Sequence, residues 1–286
     1  MRGIWLSGVT LNSGSGNIAL RGQGWLGSSS TGEYSIGVDL VIGTTIQSTS
    51  GSISIVGRGG INYDVYTHGV GINIYTNGTA NNIFSTTGDI TLNGAAGSGT
   101  ARTYAGINQD GGVASVYSTS GNVTLIGSGS GANDKGINGI SGTTFNIGTN
   151  VGNSIVTNGN ILLQANSINI AGAMNFKNTG TLTVEPISTS FTAAISWPLT
   201  NLTILGTNGL TIGKSGNTAN ITIGTTQSIN GPITIYAGTL TLTGGLTTTN
   251  TTTGNISLVT SALTGSNITV ATGRSLTINQ SGNSSY

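Results

Sequence analysis

The amino-acid sequence predicts an all-β protein, a right-handed parallel β-helix of about fifteen turns of about 19 residues each. Three observations predict this solenoid. A short strand phrase recurs along the chain, and no stretch of useful length has the i, i+3, i+4 spacing of apolar residues typical of a helix. The composition is also unusual, since 49 of the 286 residues are Gly and only 5% are charged.

The strand phrase is Gly, then Asn, Asp or Ser, then an aliphatic residue, any residue and a second aliphatic residue. Side chains alternate between the two faces of a strand, so the two aliphatic residues point to one side and form a core. The Asn or Asp precedes the strand, where its side chain can bond nearby backbone, and we expect ladders of such residues from turn to turn. Copies of the phrase begin at Gly16, Gly51, Gly88, Gly121, Gly159 and Gly254.

A second phrase, Gly followed by an aliphatic residue, lies midway between the early copies, at Gly37, Gly71, Gly106 and Gly136. If each phrase marks one turn, an aliphatic strand recurs about every 19 residues. Turns stacked at about 4.8 Å then give a rod of roughly 70 Å. Because crossovers between parallel strands are right-handed, the helix is predicted to be right-handed.

Residues 1–286 are predicted to form a single continuous solenoid, as a fragment of a longer protein, with two textures. Residues 1–150 have irregular, looped turns, and residues 151–286 have tighter, Thr-rich turns. The segment 185–198 contains two prolines and breaks the phrase, so we expect an extruded loop there. The residues between aliphatic pairs are expected to form an outward hydroxyl column, at Thr183, Thr203, Thr222, Thr241, Ser257 and Thr277.

The composition excludes several function classes. With no Cys, one His and seven acidic residues, the chain has little material for acid-base, metal or thiol chemistry, so no enzyme, cofactor or metal site is predicted. The eight Lys and Arg are scattered singly, which argues against nucleic acid as a partner. No apolar run approaches the roughly 18 residues of a membrane helix, so no membrane span is expected in this segment.

One segment, Arg58 to Asn77, gathers the densest group of polar and aromatic residues. Aromatic rings flanked by polar groups suit contact with carbohydrate or protein. We predict a contact patch there, and the alternative is a loop that only covers the edge of the solenoid. The patch consists of Tyr63, Asp64, Tyr66, His68 and Tyr75.

Several runs resemble repeats of filamentous-haemagglutinin-like adhesins, namely 86–92, 119–125, 210–223 and 229–236. Proteins of this class are large exported surface proteins of Gram-negative bacteria, secreted by two-partner or autotransporter routes. The resemblance implies a structural shaft or adhesive segment at the bacterial cell surface, in adhesion or biofilm contact. It implies host or biofilm glycans or surface proteins as partners, and an outer-membrane transporter for the full-length protein. It assigns no binding residue.

Two other functions remain open at this point. A polysaccharide-active β-helix enzyme needs two carboxyl groups within about 10 Å of each other. The aspartates are spaced out of phase with a turn of about 19 residues, so we expect them not to share a stripe. An ice-binding solenoid needs a doubled array of Thr, and exposed strands favour Thr by β-propensity alone. The aspartates considered are Asp39, Asp64, Asp89, Asp110 and Asp134.

Overall fold

Alternating aliphatic and polar residues place most of the chain in short strands. The computed structural model describes residues 1–27, 35–62, 68–99, 103–129 and 135–280. Within those ranges the chain forms thirty β-strands and no helix, and hence no helix long and apolar enough to cross a membrane. Every pairing between these strands is parallel. The predicted all-β, parallel, solenoid-like architecture is confirmed.

The strands of the first half are β1 (Ile4–Ser7), β2 (Thr10–Asn12), β3 (Ile18–Gln23), β4 (Val38–Val41), β5 (Thr45–Ser48), β6 (Ile53–Arg58), β7 (Ile61–Asn62), β8 (His68–Tyr75), β9 (Asn81–Ser85), β10 (Ile90–Ala95), β11 (Ser98–Gly99), β12 (Thr103–Asp110), β13 (Val113–Ser118), β14 (Val123–Ser128), β15 (Lys135–Gly139) and β16 (Thr144–Ile147). Those of the second half are β17 (Ile161–Ala165), β18 (Ile168–Ile170), β19 (Ala173–Phe176), β20 (Leu182–Glu185), β21 (Ile195–Trp197), β22 (Leu202–Ile204), β23 (Leu210–Ile212), β24 (Ile221–Ile223), β25 (Gln227–Ile229), β26 (Ile233–Leu242), β27 (Leu246–Thr248), β28 (Ile256–Gly265), β29 (Ile268–Thr269) and β30 (Leu276–Gln280).

Three long sheets organise these strands. Sheet 1 has the order β1-β4-β8-β12-β15-β18, and sheet 2 has the order β2-β5-β9-β13-β16-β19-β22. Sheet 3 has twelve strands and runs from β3 to β30, with β21 and β24 joined to it through β26. A fourth sheet, β25-β27-β29, and the pair β7–β11 complete the set. In the first half each coil of the chain therefore contributes one strand to sheets 1, 2 and 3 in turn.

The aliphatic pairs of the strand phrase stack on one another in sheet 3. Ile53 lies in register with Ile18 on one side and Ile90 on the other, and the column continues through Val123 to Ile161. From Ile53 onward these side chains are at most 1% exposed and belong to one hydrophobic core. The predicted core column is therefore confirmed.

The predicted short period, one turn for every copy of either phrase, is wrong for the first half. Residues paired in sheet 3 lie on average about 36 residues apart from Ile18 to Ile161, and about 23 residues apart from there to Leu276. The second phrase does not begin a new turn, because its residues, such as Val38 and Ile72, lie in sheet 1. Sheet 3 has ten levels among the described residues, fewer than the fifteen turns expected.

The loop expected near 185–198 is shorter than predicted, since residues 186–194 form no strand and residues 188, 189 and 192–194 are exposed. Glu185 ends β20, and Ile195 to Trp197 form β21. Phe191 is 4% exposed and Trp197 is fully buried, both in the hydrophobic core. Large apolar side chains are stabilised by burial, so Phe191 and Trp197 pack inward although the segment contains two prolines.

The single hydroxyl column expected in the second half is divided among the sheets. Thr183, Ser257 and Thr277 lie on the main ladder of sheet 3, and Thr203 lies in sheet 2. Thr222 and Thr241 pair with each other on the branch formed by β24 and β26. The cause is the same as for the period, since neighbouring phrases in sequence belong to different faces of one coil.

The Asn and Asp ladders expected at the corners before sheet 3 are present. The Oδ1 atom of each residue accepts a hydrogen bond from the backbone N–H of the next level. The donors are Ser52 to Asn17 at 2.8 Å, Asn122 to Asp89 at 2.7 Å, Asn160 to Asn122 at 2.9 Å, Thr181 to Asn160 at 2.9 Å and Ser275 to Asn255 at 3.1 Å.

Candidate functional site

Most of the predicted contact patch lies outside the described residues. Tyr63, Asp64 and Tyr66 fall in the gap between residues 62 and 68, and the side chain of His68 is likewise outside the described part. The backbone of His68 begins β8 and pairs with Thr103. Tyr75, at the end of β8, is therefore the member of the patch whose surroundings can be stated, and the patch as a whole stays a prediction.

Tyr75 lines a cleft of about 340 Å³ on sheet 1. Its side chain is half-buried, and its backbone lies in register with Val41 on one side and Asp110 on the other. Val38 and Leu40 of β4 point into the core, so Asp39 and Val41 lie on the opposite face of the sheet, where the cleft opens. The cleft is also lined by Arg2, Trp5, Ser7, Ile36, Ile42 and Asn73.

Trp5 is the most exposed aromatic side chain of the cleft. It is 60% exposed, and the guanidinium carbon of Arg2 lies 5.4 Å from its ring centroid, in cation–π range. Trp5 and Tyr75 thus offer two aromatic surfaces within one cleft. Such surfaces can stack against sugar rings or bury apolar parts of another protein.

Asp39 supplies the buried charge of the cleft. Its side chain is 1% exposed, and its Oδ2 atom accepts a hydrogen bond from Arg2 Nε at 2.5 Å, within an ion pair. Its Oδ1 atom accepts a hydrogen bond from Asn73 Nδ2 at 2.8 Å. Because both carboxylate oxygens accept hydrogen bonds, this group is suited to fixing Arg2 beside Trp5.

Asp39 also begins a ladder of side-chain amides that runs along sheet 1. Each Nδ2 atom donates to the Oδ1 atom of the preceding level, at 2.8 Å from Asn108 to Asn73 and at 2.7 Å from Asn138 to Asn108 and from Asn169 to Asn138. Asn73, Asn108 and Asn138 are 1% to 8% exposed. The ladder satisfies polar groups that would otherwise be buried without partners.

The sequence contains a signal for this ladder, although the ladder was not among the predicted features. Each residue of the ladder up to Asn138 directly follows the aliphatic residue of the second phrase, as in Gly37-Val38-Asp39. Asp39 and Asp110 line the same cleft, but they stand in different columns of sheet 1, as expected for aspartates that share no stripe. Asp39 is in register with Asn73 and through it with Asn108, whereas Asp110 is in register with Tyr75 and through it with Val41.

Other titratable groups offer little further chemistry. In the described ranges no three His, Cys, Asp or Glu side chains lie close enough together to hold a metal ion. Burial raises the pKa of Tyr117, whose ring stacks on Phe84 with centroids 5.3 Å apart and planes 4° from parallel. This stacked pair stabilises the neutral phenol and serves packing on sheet 2.

No protein-family model, curated protein or solved structure matches this chain. The resemblance to filamentous-haemagglutinin-like adhesins therefore stays a prediction from the sequence phrases alone.

Proposed function

We propose that this chain is a structural shaft or adhesive segment of a large exported bacterial surface protein, built as a right-handed parallel β-helix. The observation that carries the proposal is the ladder of sheet 3, in which a strand of each coil pairs with a strand of the next coil from Ile18 to Leu276. Such a ladder grows by one strand spacing, about 4.8 Å, with each added coil, and no coil needs chemistry of its own. That is the property expected of a spacer between a cell and its target.

The cleft on sheet 1 is the contact surface that we propose for an adhesive role. Trp5 and Tyr75 provide stacking surfaces, and Arg2 is held beside them by Asp39. Host or biofilm glycans, or surface proteins, are the partners proposed for it, because rings flanked by polar groups bind sugars and protein surfaces alike. The full-length protein would reach the cell surface through an outer-membrane transporter.

An attachment assay tests the adhesive role. Beads coated with the chain are expected to bind to glycan-coated or cell-coated surfaces, and the double variant Trp5→Ser, Tyr75→Ser is expected to lose most of that attachment. Trp25→Ser is a matched control, because Trp25 is 44% exposed and does not line the cleft. Equal attachment by all three proteins would limit the proposal to the shaft.

The alternative of a polysaccharide-active enzyme is tested on the same protein. Incubation of the purified chain with a panel of acidic and neutral polysaccharides is expected to release no new reducing ends. Turnover of any of them would contradict the proposed function. The ice-binding alternative predicts thermal hysteresis of the same solution.

A further inference from the structure

The strands β20, β21 and β22 form one coil, and they do not all pair with both neighbouring coils. We call this coil the split coil. β20 pairs with both the preceding strand β17 and the following strand β23. Among the described strands, β21 pairs only forward, with β24, and β22 pairs only backward, with β19. As a result β22 is not hydrogen-bonded to β25, the strand that follows it on that face, and the two lie farther apart than paired strands do. We call the gap between β22 and β25 the seam.

Both walls of the seam present backbone groups to it. In β25, Gln227 N–H donates to Gly245 O at 2.9 Å and Ile229 O accepts from Thr249 N–H at 3.1 Å, so both residues face β27. Successive residues of a strand direct their backbone groups to opposite neighbours, so the N–H and C=O of Ser228 face the seam. Directly after β22, Leu205 N–H donates to Phe176 O at 2.8 Å on the β19 side. By the same alternation, the backbone N–H and C=O of Ile204 face the seam.

The seam is a groove with room for a strand. Its volume is about 510 Å³. One residue of a β-strand takes up roughly 160 Å³, from a rise of about 3.3 Å, a strand spacing of about 4.8 Å and a sheet spacing of about 10 Å. The groove therefore accommodates about three residues, which is the length of each wall.

The lining of the groove fits an uncharged occupant. Leu202 and Ile229, which are 8% and 4% exposed, supply apolar surface next to the core. Of the described residues that line the groove, none carries a charge. One end is closed by Asn208 and Asn230, since Asn230 Nδ2 donates to Asn208 Oδ1 at 3.2 Å.

The other face of the split coil has a gap between β18 and β21, and there the chain supplies its own contacts. The backbone N–H groups of Ser188 and Thr192 donate to Asn166, to its Oδ1 at 2.8 Å and its C=O at 3.0 Å respectively. At the far end, Asn201 Nδ2 donates to Ala171 O at 3.0 Å. Hydrogen bonds from the backbone and side chains of this chain thus bridge the gap between β18 and β21. The seam offers the same kind of unpaired edges. In the part of the chain that the structure describes, the side-chain bond between Asn230 and Asn208 bridges one end of the seam, and no backbone–backbone hydrogen bond joins β22 to β25.

We infer that the seam binds an extended, uncharged peptide segment of a partner protein as an added parallel strand between β22 and β25. Unpaired strand edges are templates for strand addition, and here two edges face one groove. The backbone of the peptide would exchange hydrogen bonds with Ile204 and Ser228. Its aliphatic side chains would point toward Leu202 and Ile229, and its Ser or Thr side chains would point outward. This inference is independent of the proposed function.

A labelled peptide tests the inference. The probe is a fluorescent, end-blocked pentapeptide with the sequence of residues 239–243, which alternates Thr and Leu. Its anisotropy is expected to rise on titration with the full chain. Ser228→Pro removes one N–H that faces the seam and is expected to weaken binding about tenfold, the effect of about 1.4 kcal/mol. Ser228→Ala, which keeps that N–H, is expected to bind as the wild type does.

Amide hydrogen exchange locates the bound peptide and separates binding from folding. The amides of Ile204 and Ser228 are expected to exchange slowly only when the peptide is present, and a peptide N-methylated at both Leu residues is expected to give no protection. An unchanged circular dichroism spectrum shows that Ser228→Pro still folds. The inference is overturned if no peptide binds, if Ser228→Pro binds as tightly as Ser228→Ala, or if protection appears on raising protein concentration without peptide, which would assign the seam to a second copy.

Discussion

Asn108 occupies the middle of the amide ladder in sheet 1, with one hydrogen bond to each neighbouring level. It donates to Asn73 at 2.8 Å and accepts from Asn138 at 2.7 Å, and it is 1% exposed. Asn108→Leu would leave an acceptor on one neighbour and a donor on the other buried without partners. We expect a loss of about 2–4 kcal/mol in the free energy of unfolding, measured by urea denaturation.

The matched control for Asn108 is the last residue of the ladder. Asn169 is exposed and makes one ladder bond, to Asn138 at 2.7 Å. Because water can replace that partner, Asn169→Leu is expected to cost about 1 kcal/mol or less. Equal losses for the two variants would show that the ladder does not depend on burial.

Residue-scale features were predictable where their cause is local. The corner ladder of Asn17, Asp89 and Asn122 follows from the position of each residue directly before a strand. The ladder through Asn73 and Asn108 has the same chemistry, yet its partners are separated by a whole coil. Its position therefore depends on the register between coils, which the assumed period of about 19 residues placed incorrectly.

Strands of sheet 3 and sheet 1 approach each other closely at glycine residues, where backbone packs against backbone. A Cβ atom on Gly57 of β6 would lie 2.0 Å from the carbonyl oxygen of Gly71 in β8. Backbone cannot move aside as a flexible side chain can, so Gly57→Ala is expected to cost about 3 kcal/mol or more. Thermal or urea unfolding monitored by circular dichroism measures this loss.

Gly139→Ala is the control for this contact. Gly139 lies in β15, and the nearest atom to its Cβ position is Thr143 Oγ1 at 4.0 Å, an ordinary contact distance. Its expected change in stability is within about 0.5 kcal/mol of zero. A similar loss at both positions would mean that the close approach at Gly57 does not matter.

The existence of most strands was predictable, whereas their assignment to sheets was not. The aliphatic phrase at Ile53 and the phrase at Ile72 both alternate with period two, and nothing in that pattern states which face of the coil each one joins. β21 was not predicted, because Pro186 and Pro198 indicated a loop. The apolar side chains of Phe191 and Trp197 are nevertheless buried in the core. Most of the predicted contact patch stays untested, and only Tyr75 is placed, in the cleft beside Trp5.

For the molecule as a whole, the corrected period changes the expected length. Ten levels of sheet 3 make nine steps of about 4.8 Å, so the rod should be about 43 Å long, compared with the roughly 70 Å expected from fifteen turns. Small-angle X-ray scattering of the monomeric chain measures this dimension. A long axis that matched the fifteen-turn length instead would contradict the pairing of sheet 3.

The split coil also determines how the molecule carries mechanical load. Between most coils of the first half, tension along the axis crosses three sheets in parallel. On either side of the split coil it crosses two, because among the described strands β21 has no partner in the preceding coil and β22 has none in the following coil. The rod is therefore not uniform in tensile strength. Between the described coils from β1 to β29, the joints with the fewest ladders lie at residues 182–204, where a bound strand between β22 and β25 would restore the third ladder.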